Sequence, residues 1–147
     1  MARTPALALA LSLACIAAMP AVHAMVEGRT SQGGAFVSGG IDVGERDALA
    51  ARRAQASLRI TTAARGSGAY LADVQMRIVA RDGATVLDTT LDGPWLLVDL
   101  APGDYRVQAV EGTQSLERQV RIRAGAAREI VFYFEVPAES VPKGQEP

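Results

Sequence analysis

From Ala56 onward the chain alternates apolar and polar residues at every second position. Leu58, Ile60 and Thr62 alternate with Ser57, Arg59 and Thr61, and Val74, Met76 and Ile78 alternate with Asp73, Gln75 and Arg77. A period of two sends successive side chains to opposite faces of an extended strand, so both segments predict strands with one buried face. Five more segments follow, TVLDTTL, WLLVDL, YRVQAV, LERQVRIR and EIVFYF, separated by Asp82-Gly83, Asp92-Gly93-Pro94, Pro102-Gly103, Glu111-Gly112 and Ala124-Gly125. Seven short strands broken by turn dipeptides predict an all-β fold, a seven-stranded antiparallel sandwich spanning residues 57–136. Asp82-Gly83 suits a tight hairpin because both residues tolerate positive φ. Pro102-Gly103 suits the centre of a type II turn, with proline fixing the first φ and glycine taking the second.

The period changes upstream. Asp42 and Glu45 have capping-box spacing, and the following RDALAARRAQA is built from strong helix formers. A helix from about Val43 to Gln55 is expected within residues 42–56, with Val43, Ala50 and Leu49 on its inner face. Arg46, Arg52 and Arg53 then face water, solvating the helix or, as the alternative, forming a basic docking surface. Residues 25–41 carry two Gly-Gly pairs and one apolar patch, Ala35-Phe36-Val37, and read as a flexible leader with a single edge strand. Those glycines do not make a phosphate loop, because no Gly-Lys-Ser or Gly-Lys-Thr follows them. The tail, residues 137–147, has no period, is rich in proline and charge, and is expected to be disordered.

The first 24 residues change the chemistry available to the rest. One basic residue, Arg3, precedes an apolar run from Ala6 to Ala18, and Val22-His23-Ala24 places small residues at minus three and minus one. This predicts a signal peptide cleaved after Ala24 and a periplasmic or secreted location. The run is too short for a good transmembrane span. Acylation of Cys15, the lipoprotein alternative, is disfavoured because a larger aliphatic residue is expected where Ser12 stands. Cleavage removes Cys15 and His23, the one cysteine and the one histidine of the 147 residues. What remains can form no disulfide and lacks the side chains that most often bind zinc or act as acid and base near neutral pH. A chain of about 120 residues is still long enough for one domain held by its core alone.

Charge excludes another class. The whole chain has a formal net charge of −1, and losing Arg3 makes it more acidic, which argues against a nucleic-acid partner. Lys143 is the single lysine. No cofactor or metal is expected, and no D-x-D-x-[DN]-G calcium loop is present. Ser67, Thr113 and Ser115 lie beside glycine-rich turns without a histidine or lysine to activate them. Asp88, Asp92, Asp99 and Asp104 fall near turns, where aspartate is common for structural reasons.

Two binding surfaces can be nominated. Trp95, at a strand start after Gly93-Pro94, and Tyr70 are the candidate glycan platform, against the alternative that Trp95 is buried between the sheets. Arg118, Arg121 and Arg123, with Glu117 among them, form an outward row on a candidate partner edge, which either protects a free strand or contacts an acidic partner.

The stretch LAPGDYRVQA ties these expectations to a known architecture. Leu100, Pro102, Gly103, Tyr105, Val107 and Ala109 form a pattern that resembles the carboxypeptidase regulatory-like, or transthyretin-like, β-sandwich domain. GPWLLVDL and GAYLADVQMRIVARDG are similar to segments of small exported bacterial proteins carrying that domain. The resemblance covers Ser57 to about Glu135. It implies an Ig-like sandwich and an accessory, non-enzymatic role with no catalytic residues. The expected function is a protein-interaction or structural module of the bacterial cell envelope with a protein partner there, and the alternative is a glycan-binding module.

Overall fold

The computed structural model describes residues 25–137. The predicted signal peptide, Cys15 and all of the predicted disordered tail except Pro137 lie outside the described residues. Each of the seven alternating segments is a strand: β3 (Leu58–Ala64), β4 (Gln75–Ala80), β5 (Thr85–Thr90), β6 (Trp95–Val98), β7 (Gly103–Glu111), β8 (Gln114–Ile122) and β9 (Arg128–Phe134). Two more precede them, β1 (Val26–Arg29) and β2 (Ala35–Gly39), so the strands among the described residues number nine rather than seven. The segment read as a flexible leader is thus a hairpin, and β2 lies inside the sheet, between β1 and β6.

The strands form two sheets, β1-β2-β6-β3-β9 and β5-β4-β7-β8. All pairings are antiparallel except β3 with β9, which run parallel, Leu58 opposite Arg128 through Ala64 opposite Phe134. A parallel pair needs a long connection. Here the chain supplies it by building the whole four-stranded sheet between the two strands.

The inner faces follow the alternation. Leu58, Ile60, Met76, Ile78, Leu96 and Phe132 are each at most 1% exposed and pack between the sheets. Two polar side chains on these inner faces are satisfied locally. Thr62 Oγ1 donates to the Leu71 carbonyl at 2.7 Å, and Ser38 Oγ accepts from the Asp92 amide at 2.9 Å.

LAPGDYRVQA is a corner. Tyr105, Val107 and Ala109 are buried, and Arg106 is exposed. The Tyr105 hydroxyl donates to the Ala101 carbonyl at 2.6 Å, and Gln32, from the β1–β2 turn, bonds both that hydroxyl and the Ala101 amide. The turn itself departs from expectation. Gly103 is already the first residue of β7, opposite Ile122, at φ 157, whereas a type II turn would hold it near +80. At Asp82-Gly83 only Gly83 takes positive φ, 89. Asp82 instead accepts the Ala84 amide through its side chain at 2.9 Å.

Helix α1 (Val43–Arg52) continues as one 3₁₀ turn, Arg53–Gln55. The Asp42 carboxylate caps it, accepting the Glu45 amide at 2.8 Å. The inner face differs from the one expected. Val43 is 69% exposed and Ala50 is exposed, while Leu49 and Glu45 are buried. Val43 and Ala50 are seven residues apart and share one side of the helix, roughly opposite Glu45 and Leu49. Glu45 tolerates burial because its Oε2 accepts the Gly40 and Ile41 amides at 2.9 and 3.0 Å. Leu49 packs with Val37, Ala56 and Leu97 in a second apolar cluster, on the outer face of the five-stranded sheet.

Candidate functional site

The predicted aromatic pair does come together. Trp95 lies opposite Gly39 and Thr61 on β6, and Tyr70 reaches the same face through a bridge to Ala63. Their ring centroids are 6.2 Å apart at 77°, an edge-to-face contact. Each ring is also engaged elsewhere. The Arg46 guanidinium sits over the Tyr70 ring, 5.3 Å from its centroid, and its Nε donates to the Gly40 carbonyl at 2.9 Å. Trp95 packs against the Leu49 cluster, close enough that a Cβ on Gly40 would lie 3.4 Å from the indole. Tyr133, opposite Ala63 on β9, is the more open ring at 44% exposure.

The helix arginines are committed too. Arg46 is folded onto Tyr70 instead of facing water. Arg52 pairs with Glu27 at 2.5 Å and Arg53 with Glu129 at 2.8 Å. These links tie the helix to both ends of the five-stranded sheet, so the helix does not present a row of unpaired positive charge.

The edge row separates into two faces. Strand β8 is an edge of the four-stranded sheet. Arg118 lies opposite the buried Val107, so its side chain starts on the inner side and its guanidinium lies 5.7 Å from the Phe132 centroid. It therefore covers the core margin and leaves the outward row. Arg121 lies opposite Asp104 on the outer face, and Arg123 follows in a short bridge to Ala126.

Arg121 and Arg123 are joined there by residues the sequence reading did not assign to that edge. A concavity of about 930 Å³ runs from the β4–β5 turn across β7 and β8 to the start of β9, lined by Arg81, Arg106, Arg121, Arg123, Arg128 and Asp104. Strand register explains the convergence. The two-residue turn at Gly112-Thr113 sets Asp104 opposite Arg121, and the pairing of Ala80 with Tyr105 sets Arg81 beside Asp104. Arg121 Nε donates to Asp104 Oδ1 at 2.7 Å, while Arg121 Nη2 and Arg81 Nη1 lie 3.4 and 3.5 Å from Oδ2. The hydrogen bond from Arg121 holds the Asp104 carboxyl below the usual carboxylate range; partial desolvation opposes it, and the charges of Arg121 and Arg81 add to it. The same bond raises the Arg121 pKa. Arg106 has a looser partner, Glu117 at 3.6 Å, and Arg123 and Arg128 have no ion-pair partner among the described residues.

The other chemistry considered is dispersed. Asp92 and Asp99 lie beyond opposite ends of β6, and Asp88 is held by Arg77 at 2.8 Å. Ser67 Oγ accepts the Ala69 amide and Ser115 Oγ a Gln108 side-chain N–H. Among the described residues no group of three or more His, Cys, Asp or Glu is placed to hold a metal, and no helix is long and apolar enough to cross a membrane. No family model, curated protein or solved structure matches the chain.

Proposed function

We propose that this chain is a non-enzymatic interaction module of the bacterial cell envelope, a carboxypeptidase regulatory-like sandwich that binds an acidic protein partner. The observation that carries the reading is the concavity on the four-stranded sheet, where five arginines face one lining carboxylate. Guanidinium groups bind carboxylates through paired N–H donors, and a concave site concentrates their field. Export, required by an envelope role, rests on the sequence of residues 1–24.

The test is affinity capture from the native envelope fraction with wild type, Arg121→Gln/Arg123→Gln and Arg77→Gln. The control, Arg77, also loses a guanidinium but is exposed elsewhere on the same sheet. A partner retained by wild type and Arg77→Gln but lost by the double variant supports the reading. Equal retention by all three removes the concavity as the contact.

The glycan reading is weaker because both nominated rings already have intramolecular partners. A glycan stacked on Trp95 would change its fluorescence and be lost in Trp95→Ala. A partner in the concavity would leave both unaffected.

A further inference from the structure

We propose that Asp104 is a built-in counter-ion that makes this concavity selective for a run of adjacent carboxylates, an acidic peptide segment of the partner, over a single one. The inference rests on the acidic-partner reading above and names what that site recognises.

The row runs from Arg81, just past the end of β4, through Asp104 on β7 to Arg121 on β8 as positive, negative, positive. Asp104 already occupies the Arg121 fork, with one bond at 2.7 Å and a longer approach at 3.4 Å. A protein carboxylate is thus the species the site is seen to hold, and an Asp or Glu of a partner would repeat that contact. The exchange is open to solvent, since the Arg81, Arg121 and Asp104 side chains are 85%, 63% and 33% exposed. Ion pairs at such exposure are weak and give way readily.

The consequence is a threshold. A lone incoming carboxylate can pair with Arg123 or Arg128, but it gains Arg121 only by displacing Asp104, which then keeps Arg81 alone beside it, so a single contact yields little. A run of carboxylates takes Arg123 and Arg128, which have no internal competitor among the described residues, together with Arg121. The later contacts form as intramolecular events once the first is seated. Like any exposed carboxylate, the competitor is charged at neutral pH, and the hydrogen bond from Arg121 lowers its pKa further.

The test uses two labelled hexapeptides, hexaglutamate and a serine hexapeptide with one glutamate, titrated by fluorescence anisotropy at low ionic strength. The proteins are wild type, Asp104→Asn, Arg121→Gln and Arg77→Gln, each first shown to be folded by thermal melting. Asp104→Ser replaces Asp104→Asn should the latter fail to fold. Wild type should bind hexaglutamate and discriminate against the single glutamate. Asp104→Asn should bind hexaglutamate about twofold to fivefold more tightly, the size of one exposed ion pair released, and bind the single-glutamate peptide measurably. Arg121→Gln should weaken hexaglutamate while Arg77→Gln does not.

If Arg121→Gln weakens binding but Asp104→Asn binds no more tightly than wild type, the counter-ion role is overturned and the acidic-partner reading survives. If wild type, Arg121→Gln and Arg77→Gln bind hexaglutamate equally, or not at all, both fall. Tighter binding of an oligogalacturonate than of hexaglutamate by wild type would overturn the peptide assignment in favour of an acidic glycan.

Discussion

The two sheets bury their inner faces in one shared core and treat their outer faces in opposite ways. On the five-stranded sheet the outer positions Val37 and Leu97 are apolar and lie beneath α1, with Leu49 as the plug. On the four-stranded sheet the outer positions are Arg77, Arg106, Glu117 and Arg121, open to water and linked by exposed ion pairs. The difference begins in the strand sequences. WLLV in β6 is apolar on both faces and demands a cover, whereas DYRVQAVE in β7 is apolar on one. Burial contributes most of the stability, so the covered face belongs to the fold and the bare face is available for contact.

Leu49→Ala tests the covered face most severely. If that outer face is a second core, the substitution should cost about 2–5 kcal/mol, lower the melting temperature and red-shift Trp95 emission as the helix loosens. A cost near zero would mean the helix merely rests on the sheet. Glu45→Gln should cost less, about 1–3 kcal/mol. The charged acceptor of two backbone amides is lost, and an amide N–H is placed where Glu45 Oε1 is buried without a partner. Denaturant melts would show it. Arg77→Ala, breaking a pair whose members are each about half exposed, should change stability by no more than about 0.5 kcal/mol. A larger loss would show that the bare face contributes to holding the fold.

The same contrast sets what the sequence reveals. Strands β3 to β9 are legible because a wet outer face or a continuous apolar run between turn residues marks each one. The β1–β2 hairpin is hidden by its glycines, which read as flexibility. One of them serves contact instead, since a Cβ on Gly34 would run into the Asp99 carbonyl. The helix face is misjudged when ranked by hydropathy alone, since Glu45, fixed by two backbone donors, is buried while Val43 is not. At the candidate site, grouping arginines by charge put Arg118 with Arg121. Parity along β8 separates them, because Arg118 shares its face with Val120 and Ile122. Asp104 could have been placed by counting outward from Gly112-Thr113, which pairs it with Arg121, whereas Arg81 depends on the non-local pairing of β4 with β7. The meeting of Arg106 and Arg128 in one concavity depends on how β8 crosses to β9 in the other sheet, and no local pattern encodes that.

The smallest effect bears most directly on the bare face. Asp104 has a folded pKa lowered chiefly by the hydrogen bond from Arg121, with the charges of Arg121 and Arg81 adding to it. A carboxyl depressed in the folded state binds fewer protons there than in the unfolded chain. Its contribution is therefore fully present above the unfolded value of about 4 and lost as pH falls through the lower folded value. The melting-temperature difference between wild type and Asp104→Asn should accordingly be small and constant from about pH 5 to 7 and shrink below about pH 4. Added salt should reduce it at neutral pH, because the pair is exposed. A difference that stays flat into acid would remove the Arg121–Asp104 pair from solution and, with it, the competitor the binding threshold requires. A difference that shrinks on acidification while hexaglutamate affinity rises in Asp104→Asn would assign that charge to partner selection, with only a minor part in holding the sheet.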